Sequence, residues 1–338
     1  MPRIAVLSTA HIHSEAFLKY IQANTSAGAP HLIWDQNQER GQEYVATFGG
    51  RFEPNLEAAL ADEQVDGFLI CAENTRHMAL LEHVLPLGKP VLCEKPLTTS
   101  SADAQRVAEL VAQHGTPLCS GYFMPFDTGA QGLIQLLADE TLGAITHVAH
   151  RNAHSAAYGR WFDNPKLAWF TEPELSAGGA LLDLGTHSVH FLRSLFGPVE
   201  SVSATVATLS GAYPEVDDYG SIMLKFRSGV IGRVEAGWIQ QAGPKGLEIF
   251  GDKAALWPQD GFRYGSGNES QGVPAGTAKP DRVARLIALI KGEIPEAEWR
   301  ADLEAALDAV SIIEAAYRSS ASGSWQTVSD CLVPATSA

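Results

Sequence analysis

Short apolar runs alternate with segments of helical period throughout residues 1–121, and this alternation limits the possible folds more than any other feature of the chain. The apolar runs are predicted strands, at 3–8, 31–35, 65–71, 91–93 and 116–120. The segments between them are predicted helices, at 14–21, 40–48, 56–60, 75–85 and 101–114. Such alternation is typical of βαβ units around a parallel sheet. Because crossovers are right-handed, residues 1–121 are predicted to form a Rossmann-like, doubly wound domain.

The pattern changes after Gly121, where short β segments separated by tight turns predominate. These segments lie at 145–151, 199–209, 219–226, 230–238, 246–250 and 324–328. Links of the hairpin kind predict a large, open and mostly antiparallel sheet. Helices are predicted at 130–138, 281–291 and 301–319, and the glycine-rich segment 265–279 is predicted to be a surface loop. Residues 122–338 are therefore predicted to form an α+β domain.

Composition excludes several classes of protein. The 338 residues suffice for two domains, and 45% of them are hydrophobic. A net charge of −15 without a basic run argues against a nucleic-acid or membrane partner. No signal peptide or membrane-length apolar run is evident, so a cytoplasmic location is expected. The cysteines lack metal-type spacing and are expected to be reduced thiols, namely Cys71, Cys93, Cys119 and Cys331.

The first strand–helix turn, residues 8–14, contains no glycine. A Rossmann domain normally has G-x-G-x-x-G at this turn, which lets the backbone approach a pyrophosphate at the helix N-terminus. The small residues Ser8, Thr9 and Ala10 still permit a fairly close approach. The bulkier His11 and His13 must either point away or touch the phosphates themselves.

Asp35 ends the second predicted strand, 22 residues after His13. A carboxylate at this position binds the ribose diol of NAD and repels the 2′-phosphate of NADP. A strand-ending carboxylate is also common without any function. In the strand–turn–helix context, however, it favours NAD over NADP.

The pair His11-x-His13 also permits a metal interpretation. Two histidines at this spacing in a turn can bind zinc, but a third ligand and supporting hydrogen bonds are needed. The sequence alone supplies neither, so no metal is expected.

A lysine follows the predicted strand 91–93, in the run Glu94-Lys95-Pro96. Pro96 has no backbone donor and favours an extended conformation at Lys95. Lys95 is thus expected at the carboxyl end of a buried strand, where open α/β sheets bind their ligands. An ordinary surface Lys-Pro turn is the alternative.

A second chemically informative segment spans residues 178–191. If it is helical, Asp183 and His187 lie one turn apart on one face, and His190 continues that face. A carboxylate one turn before an imidazole can fix its tautomer and raise its basicity, which suits proton transfer. A solvated polar stripe on an amphipathic helix is the alternative.

Together these features resemble the Gfo/Idh/MocA family of nicotinamide-dependent oxidoreductases over nearly the whole chain. Residues 88–96, GKPVLCEKP, are similar to the family pattern G-K-x-V-x-x-E-K-P. Residues 178–187 are similar to G-G-x-x-x-D-x-G-x-H. Residues 74–77 resemble N-x-x-H beside the nicotinamide, and residues 251–254 resemble a late glycine turn.

The resemblance implies roles for individual residues. Lys95 would hydrogen-bond the reacting hydroxyl, His187 would act as general acid/base, and Asp183 would orient the substrate and assist His187 electrostatically. The candidate cofactor contacts are Ser8, Thr9, Ala10, His11, His13, Asp35, Asn74, His77, Glu94 and Lys95. The candidate substrate contacts are Lys95, Tyr122, Arg151, Trp161, Asp183 and His187.

Two departures from the family pattern concern the substrate. The family often has an acid where His190 stands, and polar residues where this chain has the mostly apolar run 123–126. The substrate is therefore expected to be less hydroxyl-rich or differently held. Trp161, Trp169 and Trp238 can stack on a sugar ring, and a core or interface role is the alternative for each.

The expected activity is NAD(P)-dependent hydride transfer to or from a secondary alcohol or ketone of a sugar, cyclitol or related molecule. A non-catalytic sensor on the same scaffold is the alternative, because the turn at 8–14 is unusual. A metal-dependent lyase or hydrolase that uses His11, His13 and His187 is a second, more distant alternative. By family analogy the chain is expected to form a homodimer or homotetramer.

Overall fold

A computed structural model describes residues 2–25 and 28–329 of the chain. The prediction for Cys331 lies outside these residues, whereas Cys71, Cys93 and Cys119 are buried free thiols. Within the described part, no helix has the length and apolar character needed to cross a bilayer.

The first domain contains a six-stranded sheet in the order β3-β2-β1-β4-β5-β6, with every neighbouring pair parallel. Its strands are β1 Ile4–Leu7, β2 Leu32–Trp34, β3 Arg51–Phe52, β4 Gly67–Ile70, β5 Val91–Cys93 and β6 Leu118–Ser120. Its helices are α1 Ser14–Asn24, α2 Gln38–Phe48, α3 Leu56–Leu60, α4 His77–Val84 and α5 Ser101–His114. The central strands are apolar and wholly buried, as expected for a parallel sheet covered on both faces. This confirms the predicted Rossmann-like fold.

The second domain contains a nine-stranded sheet in the order β14-β13-β12-β11-β7-β10-β9-β8-β15. Its strands are β7 Ile145–Ala153, β8 Val199–Ala207, β9 Tyr219–Phe226, β10 Ile231–Gly237, β11 Gly246–Gly251, β12 Ala255–Pro258, β13 Phe262–Ser266, β14 Glu269–Gly272 and β15 Gln326–Thr327. The helices of residues 122–329 are α6 Thr128–Ala138, α7 Pro173–Ser176, α8 Thr186–Phe196, α9 Arg282–Ile290 and α10 Glu296–Ser322. Only β7 and β10 pair in parallel, so the predicted, mostly antiparallel sheet is confirmed.

The two sheets share one hydrophobic core. Helix α9 packs against β4, β5 and β6 of the first sheet, although it follows strands β7–β14 of the second sheet in sequence. Helix α10 contacts α5 and β6 on one side and α8 and β8 on the other. The C-terminal helices thus connect the parallel sheet with α8 and the second sheet.

Two local predictions were wrong. Segment 265–279 was predicted to be a loop, but it includes the end of β13 and all of β14. Strand β14 is exposed along its length, so no apolar alternation marks it in the sequence. The helix predicted at 301–319 extends over Glu296–Ser322, so its first and last residues were missed although the buried Trp299 lies in the first turn.

Candidate active site

Lys95 lies at the carboxyl end of β5, as predicted, and its side chain is almost wholly buried. Its ammonium donates hydrogen bonds to the Asp183 carboxylate at 2.6 Å and to the Asp183 carbonyl at 3.1 Å. Nζ therefore joins the first domain to the second. A surface Lys-Pro turn is excluded by this burial.

Asp183 belongs to a π-helical turn, Leu181–Gly185, which leads directly into α8. Asp217 holds the start of this turn by accepting hydrogen bonds from the amides of Gly179 and Leu181, at 2.9 and 2.8 Å. A Cβ atom at Gly179 would lie 1.9 Å from the Asp217 carbonyl oxygen, so only glycine fits there. The second glycine of the G-G pair is thus required by packing.

The Asp183 carboxylate binds Lys95 and accepts a 3.0 Å hydrogen bond from the Trp238 indole. Burial alone would raise the pKa of Asp183, but the Lys95 charge and these two hydrogen bonds hold it well below its usual value. The predicted role of Asp183 in fixing the His187 tautomer is not what the structure shows. Because the turn is π-helical, Asp183 faces Lys95, and His187 Nδ1 has no hydrogen-bond partner among the described residues.

His187 is buried in the first turn of α8, beside the rings of Tyr122 and Phe123 at centroid distances of 5.6 and 5.3 Å. Burial lowers the pKa of His187 well below its usual value, and the nearby Lys95 charge lowers it further. The imidazole is therefore neutral near pH 7 and able to accept a proton.

Tyr122 supports the site through other residues. Its hydroxyl shares a 2.6 Å hydrogen bond with Thr186, and its ring stacks on His190 with centroids 4.0 Å apart. The ring thereby fixes the start of α8, where His187 lies. Because the hydroxyl is buried and already paired with Thr186, it is not free for the predicted direct contact with a substrate.

Arg151 does not join the cluster, so its predicted substrate role is corrected. Successive residues of a strand face opposite sides of a sheet. His150 and Asn152 of β7 face the helices, where they contact Ser188 and the Leu184 carbonyl. Arg151 consequently lies on the open face and pairs with Glu235 at 2.8 Å.

The three tryptophans differ in their surroundings. Trp161 is 47% exposed and stacks on His154, with ring centroids 4.7 Å apart. Trp238 is buried and its indole donates a hydrogen bond to the Asp183 carboxylate. Trp169 is also buried and donates a 3.1 Å hydrogen bond to the Ala10 carbonyl. Of the three, only Trp161 offers an exposed ring to a ligand.

Hydrogen bonds to the Asp35 side chain hold the turn after β1 in place. One carboxylate oxygen accepts hydrogen bonds from the Thr9 amide at 2.7 Å and hydroxyl at 2.8 Å. Arg40 binds both oxygens, at 2.9 and 2.7 Å, and also approaches Glu73 at 3.3 Å. Asp35 thus stands at the predicted strand end, but its carboxylate is committed to donors within the protein.

Part of the same turn is covered by the second domain. Besides the hydrogen bond from Trp169 to Ala10, the rings of Trp169 and Phe170 lie 6.0 and 5.7 Å from the His11 ring. The His11 amide donates to the Cys71 carbonyl at 3.0 Å. The surface that a glycine-rich turn would offer to a pyrophosphate is therefore partly closed.

A cavity of about 220 Å³ remains beside the turn. Its lining includes Thr9–Ile12 together with two cations, Arg40 and Lys166, which also pair with Asp35 and Glu43. Helix α1 begins beside the cavity without a side-chain cap, but the Ser14 amide donates to the His11 carbonyl at 3.0 Å, and Glu15 adds a carboxylate to the lining. Neither cation was predicted from the sequence, although an arginine five residues after a strand-ending aspartate is a usable signal.

Asn74 and His77 hold backbone segments at the same edge of the sheet. The Asn74 amide donates to the Ser176 carbonyl at 2.9 Å, which ties the two domains together. His77 lies between the Pro96 and Ala72 carbonyls, at 2.8 and 3.1 Å. Both residues line the strand ends, but their side chains are occupied by backbone partners.

His11, His13 and Glu94 form a separate polar cluster. The Glu94 carboxylate is buried and lies 2.9 Å from His13 Nδ1 and 3.9 Å from His11 Nδ1. Burial lowers the pKa of His11 to about 3, although the Glu94 charge opposes this. Burial alone would raise the pKa of Glu94, but the two histidines and Lys95 keep it ionised.

Comparison with protein families gives two matches along the chain. Residues 3–122 match the model described as "Oxidoreductase family, NAD-binding Rossmann fold", and residues 131–257 match the "GFO/IDH/MocA C-terminal domain". The chain belongs to the GFO/IDH/MocA oxidoreductase family. The resemblance stated from the sequence is thereby confirmed.

Relatives with assigned names are distant. The rhizopine catabolism protein MocA of Rhizobium meliloti is 26% identical over 210 residues, which cover 59% of this chain and 62% of that protein. D-Xylose 1-dehydrogenase (NADP(+)) 2 of Haloferax volcanii is 28% identical over 232 residues, 68% of each chain. The matched region thus spans about two thirds of the length of these two relatives.

A solved structure extends the likeness of fold to nearly the whole chain. GenD2 from gentamicin A biosynthesis, determined in complex with NAD, superimposes with a TM-score of 0.76 at 22% identity and covers 97% of both chains. At this identity the match supports the fold, and the chemistry depends on the residues described above.

Proposed function

We propose that this member of the family is an NAD(P)-dependent dehydrogenase or reductase. Its substrate is a secondary alcohol or ketone of a sugar, a cyclitol or a related small molecule. The observation that carries the proposal is the buried Lys95–Asp183 ion pair beside the neutral His187, whose Nδ1 atom has no hydrogen-bond partner among the described residues. Retention of all three groups suits catalysis better than simple ligand binding.

The residues at the β1–α1 turn fit the anionic part of a dinucleotide. Arg40 and Lys166 line the cavity there together with Glu15, and α1 begins beside it without a side-chain cap. Thr9 and Ala10 form part of its wall, and Asp35 holds Thr9 and Arg40 in place. Because Trp169 and Phe170 cover the adjoining surface, the proposal requires these two rings to shift when a whole dinucleotide binds. When bound, the nicotinamide supplies the hydride acceptor or donor.

The protein's own groups then manage the proton and the charge on the substrate oxygen. The Lys95 ammonium donates a hydrogen bond to that oxygen and stabilises negative charge on it. His187 accepts the hydroxyl proton during oxidation and returns it during reduction. Asp183 fixes the direction of the Lys95 ammonium, and Trp238 fixes Asp183. The buried setting strengthens these interactions because water does not screen them.

The substrate side of the site combines polar and aromatic groups. Phe123 lies against His187, and the exposed Trp161 ring stacks on His154. Aromatic faces of this kind pack on the apolar face of a pyranose or cyclitol ring. The enzyme names of the relatives support this substrate class, with D-xylose as the substrate named for the Haloferax protein.

Titration of purified protein with NADH and NADPH, followed by tryptophan fluorescence, tests the proposal. Trp169 lies on the β1–α1 turn, so dinucleotide binding is expected to change its emission, and a Trp169→Phe variant identifies that signal. Micromolar binding followed by reduction of NAD or NADP in a screen of sugars and cyclitols is the expected result. Binding of neither nucleotide would contradict the proposal and favour the ligand sensor.

We also propose that the chain forms a homodimer or homotetramer through the open face of the nine-stranded sheet. On this face, Met223 and Ile231 are 38% and 37% exposed, next to the Arg151–Glu235 ion pair. A face of this composition suits a self-complementary, isologous contact.

A further inference from the structure

The turn at 8–14 places two histidines beside a carboxylate that follows another strand of the same sheet. His11 and His13 follow β1, and Glu94 follows β5, with β4 between those strands. We infer that His11, His13 and Glu94 form a binding site for a divalent first-row transition-metal ion, with zinc as its representative. This inference goes beyond the proposed hydride transfer and does not depend on it.

The three donor atoms lie at distances close to those of a coordination shell. His13 Nδ1 and His11 Nδ1 are 2.9 and 3.9 Å from Glu94 Oε1, and all three donor atoms lie within 4.8 Å of one another. With metal–ligand bonds of about 2.1 Å in a tetrahedral site, donor atoms are roughly 3.4 Å apart. The two imidazoles would have to rotate toward Glu94 to place all three donor atoms around one ion.

The charge of the cluster favours a cation. The Glu94 carboxylate is buried, and it accepts hydrogen bonds from the Lys95 backbone amide at 2.8 Å and from the His13 ring. Among the described residues, no lysine or arginine side chain forms an ion pair with Glu94, because the Lys95 ammonium binds Asp183. The histidines and the more distant Lys95 charge already favour the ionised carboxylate, and a metal ion bound directly to it would compensate its charge further.

The orientation of the cluster also favours an ion. His11 is buried, and its Nδ1 atom faces Glu94, although it also accepts a hydrogen bond from the His13 amide at 3.3 Å. The hydrogen bond from the Lys95 amide holds the second Glu94 oxygen, which leaves Oε1 toward the histidines. Two imidazoles and one carboxylate form a donor set that suits zinc or another first-row divalent ion better than magnesium or calcium.

Metal binding can be measured directly on the full-length protein without an affinity tag. The protein is stripped with a chelator and dialysed against Zn²⁺ or Co²⁺, and the bound metal is counted by elemental analysis. About one equivalent per chain is expected, with visible d–d absorption from Co²⁺ and a higher melting temperature with Zn²⁺. Binding well below one equivalent would overturn the inference.

Variants locate the ion. Glu94→Gln retains the side-chain volume, and His13→Ala changes a partly exposed residue, so both are expected to fold, which circular dichroism checks. Each is expected to bind Zn²⁺ at least ~10-fold more weakly, because a ligand is lost. His83→Ala on the exposed face of α4 is the matched control and is expected to bind as the wild type does. Unchanged affinity in Glu94→Gln and His13→Ala would overturn the inference, whatever the result of the nucleotide titration.

Discussion

The ammonium of Lys95 lies 2.6 Å from the carboxylate of Asp183, and this ion pair crosses from one domain to the other. Lys95 stands at the end of β5, whereas Asp183 stands on the π-helical turn before α8. Relative movement of the domains would therefore displace the proposed oxyanion donor from the proposed base, His187. Through this pair, the proposed catalytic geometry depends on an intact interdomain contact.

Replacement of Lys95 by alanine tests its proposed role as donor to the substrate oxygen. Turnover is expected to fall about 10²-fold or more, as when another oxyanion donor is removed. The assay is steady-state kinetics on the substrate found in the screen, run well below the melting temperature of the variant. Lys89→Ala, just before the same strand, is the control. Unchanged turnover in Lys95→Ala would remove the role assigned to this lysine.

The contributions of Lys95 and Asp183 to the free energy of unfolding are expected to depend on each other. Removal of either charge alone, in Lys95→Met or Asp183→Asn, leaves the other buried and is expected to cost about 3–5 kcal/mol. The double variant is expected to be more stable than the sum of the single effects implies. Urea unfolding of the four proteins measures this coupling. Strict additivity would show that the two charges do not interact.

The architecture could be predicted from the sequence because apolar residues recur at different spacings in its strands and its helices. Buried strands such as β4 and β5 are apolar, and hairpin turns separate most strands of the second sheet. The short strand β3 and the exposed strand β14 lack such a pattern. Their pairing depends on neighbouring strands, which a local pattern does not report.

For the site, the sequence identified Lys95, Asp183 and His187 but not their contacts. A helix of ordinary period places Asp183 beside His187, whereas the π-helical turn directs the carboxylate to Lys95. The closure of the β1–α1 turn by Trp169 depends on residues 159 positions apart in sequence. Contacts of this kind arise only from tertiary packing.

Acid is expected to destabilise the protein through its buried histidines. His150 hydrogen-bonds Ser188 at 2.7 Å, and burial lowers its pKa to about 4. Near pH 6.5 and below, the unfolded chain takes up a proton there and the folded chain does not. The contribution of His150 to stability is thus complete above about pH 6.5 and is lost progressively toward pH 4. Between these pH values, His150 alone is expected to lower the free energy of unfolding by about 1.4 kcal/mol for each pH unit of acidification.

Urea unfolding between about pH 7 and pH 5 measures this slope. His150→Gln is expected to reduce the proton uptake on unfolding by about one. His83→Gln, on the exposed face of α4, is the matched control for loss of a histidine. Equal slopes in wild type and His150→Gln would mean that this imidazole titrates alike in both states.

Substitution on the open face of the second sheet is expected to change the assembly. Met223→Glu places a negative charge on the open face of β9, near Ile231 and opposite Arg233 of β10. Like charges from two copies would then meet at a two-fold contact and weaken it. Light scattering is expected to show a dimer or larger assembly for the wild type and a smaller mass for the variant. An unchanged mass would place the contact elsewhere.

Asp35 is the residue whose replacement best separates the two nucleotides. Its carboxylate orients Arg40 and is proposed to accept hydrogen bonds from the ribose diol of NAD. Asp35→Ser removes that acceptor and frees Arg40 for a 2′-phosphate, so NADH binding is expected to weaken by about 10-fold or more and NADPH binding much less. Loss of the Thr9 hydrogen bonds affects both nucleotides alike, so the ratio of the two dissociation constants is the quantity to measure by fluorescence titration. Equal weakening would show that Asp35 only fastens the turn.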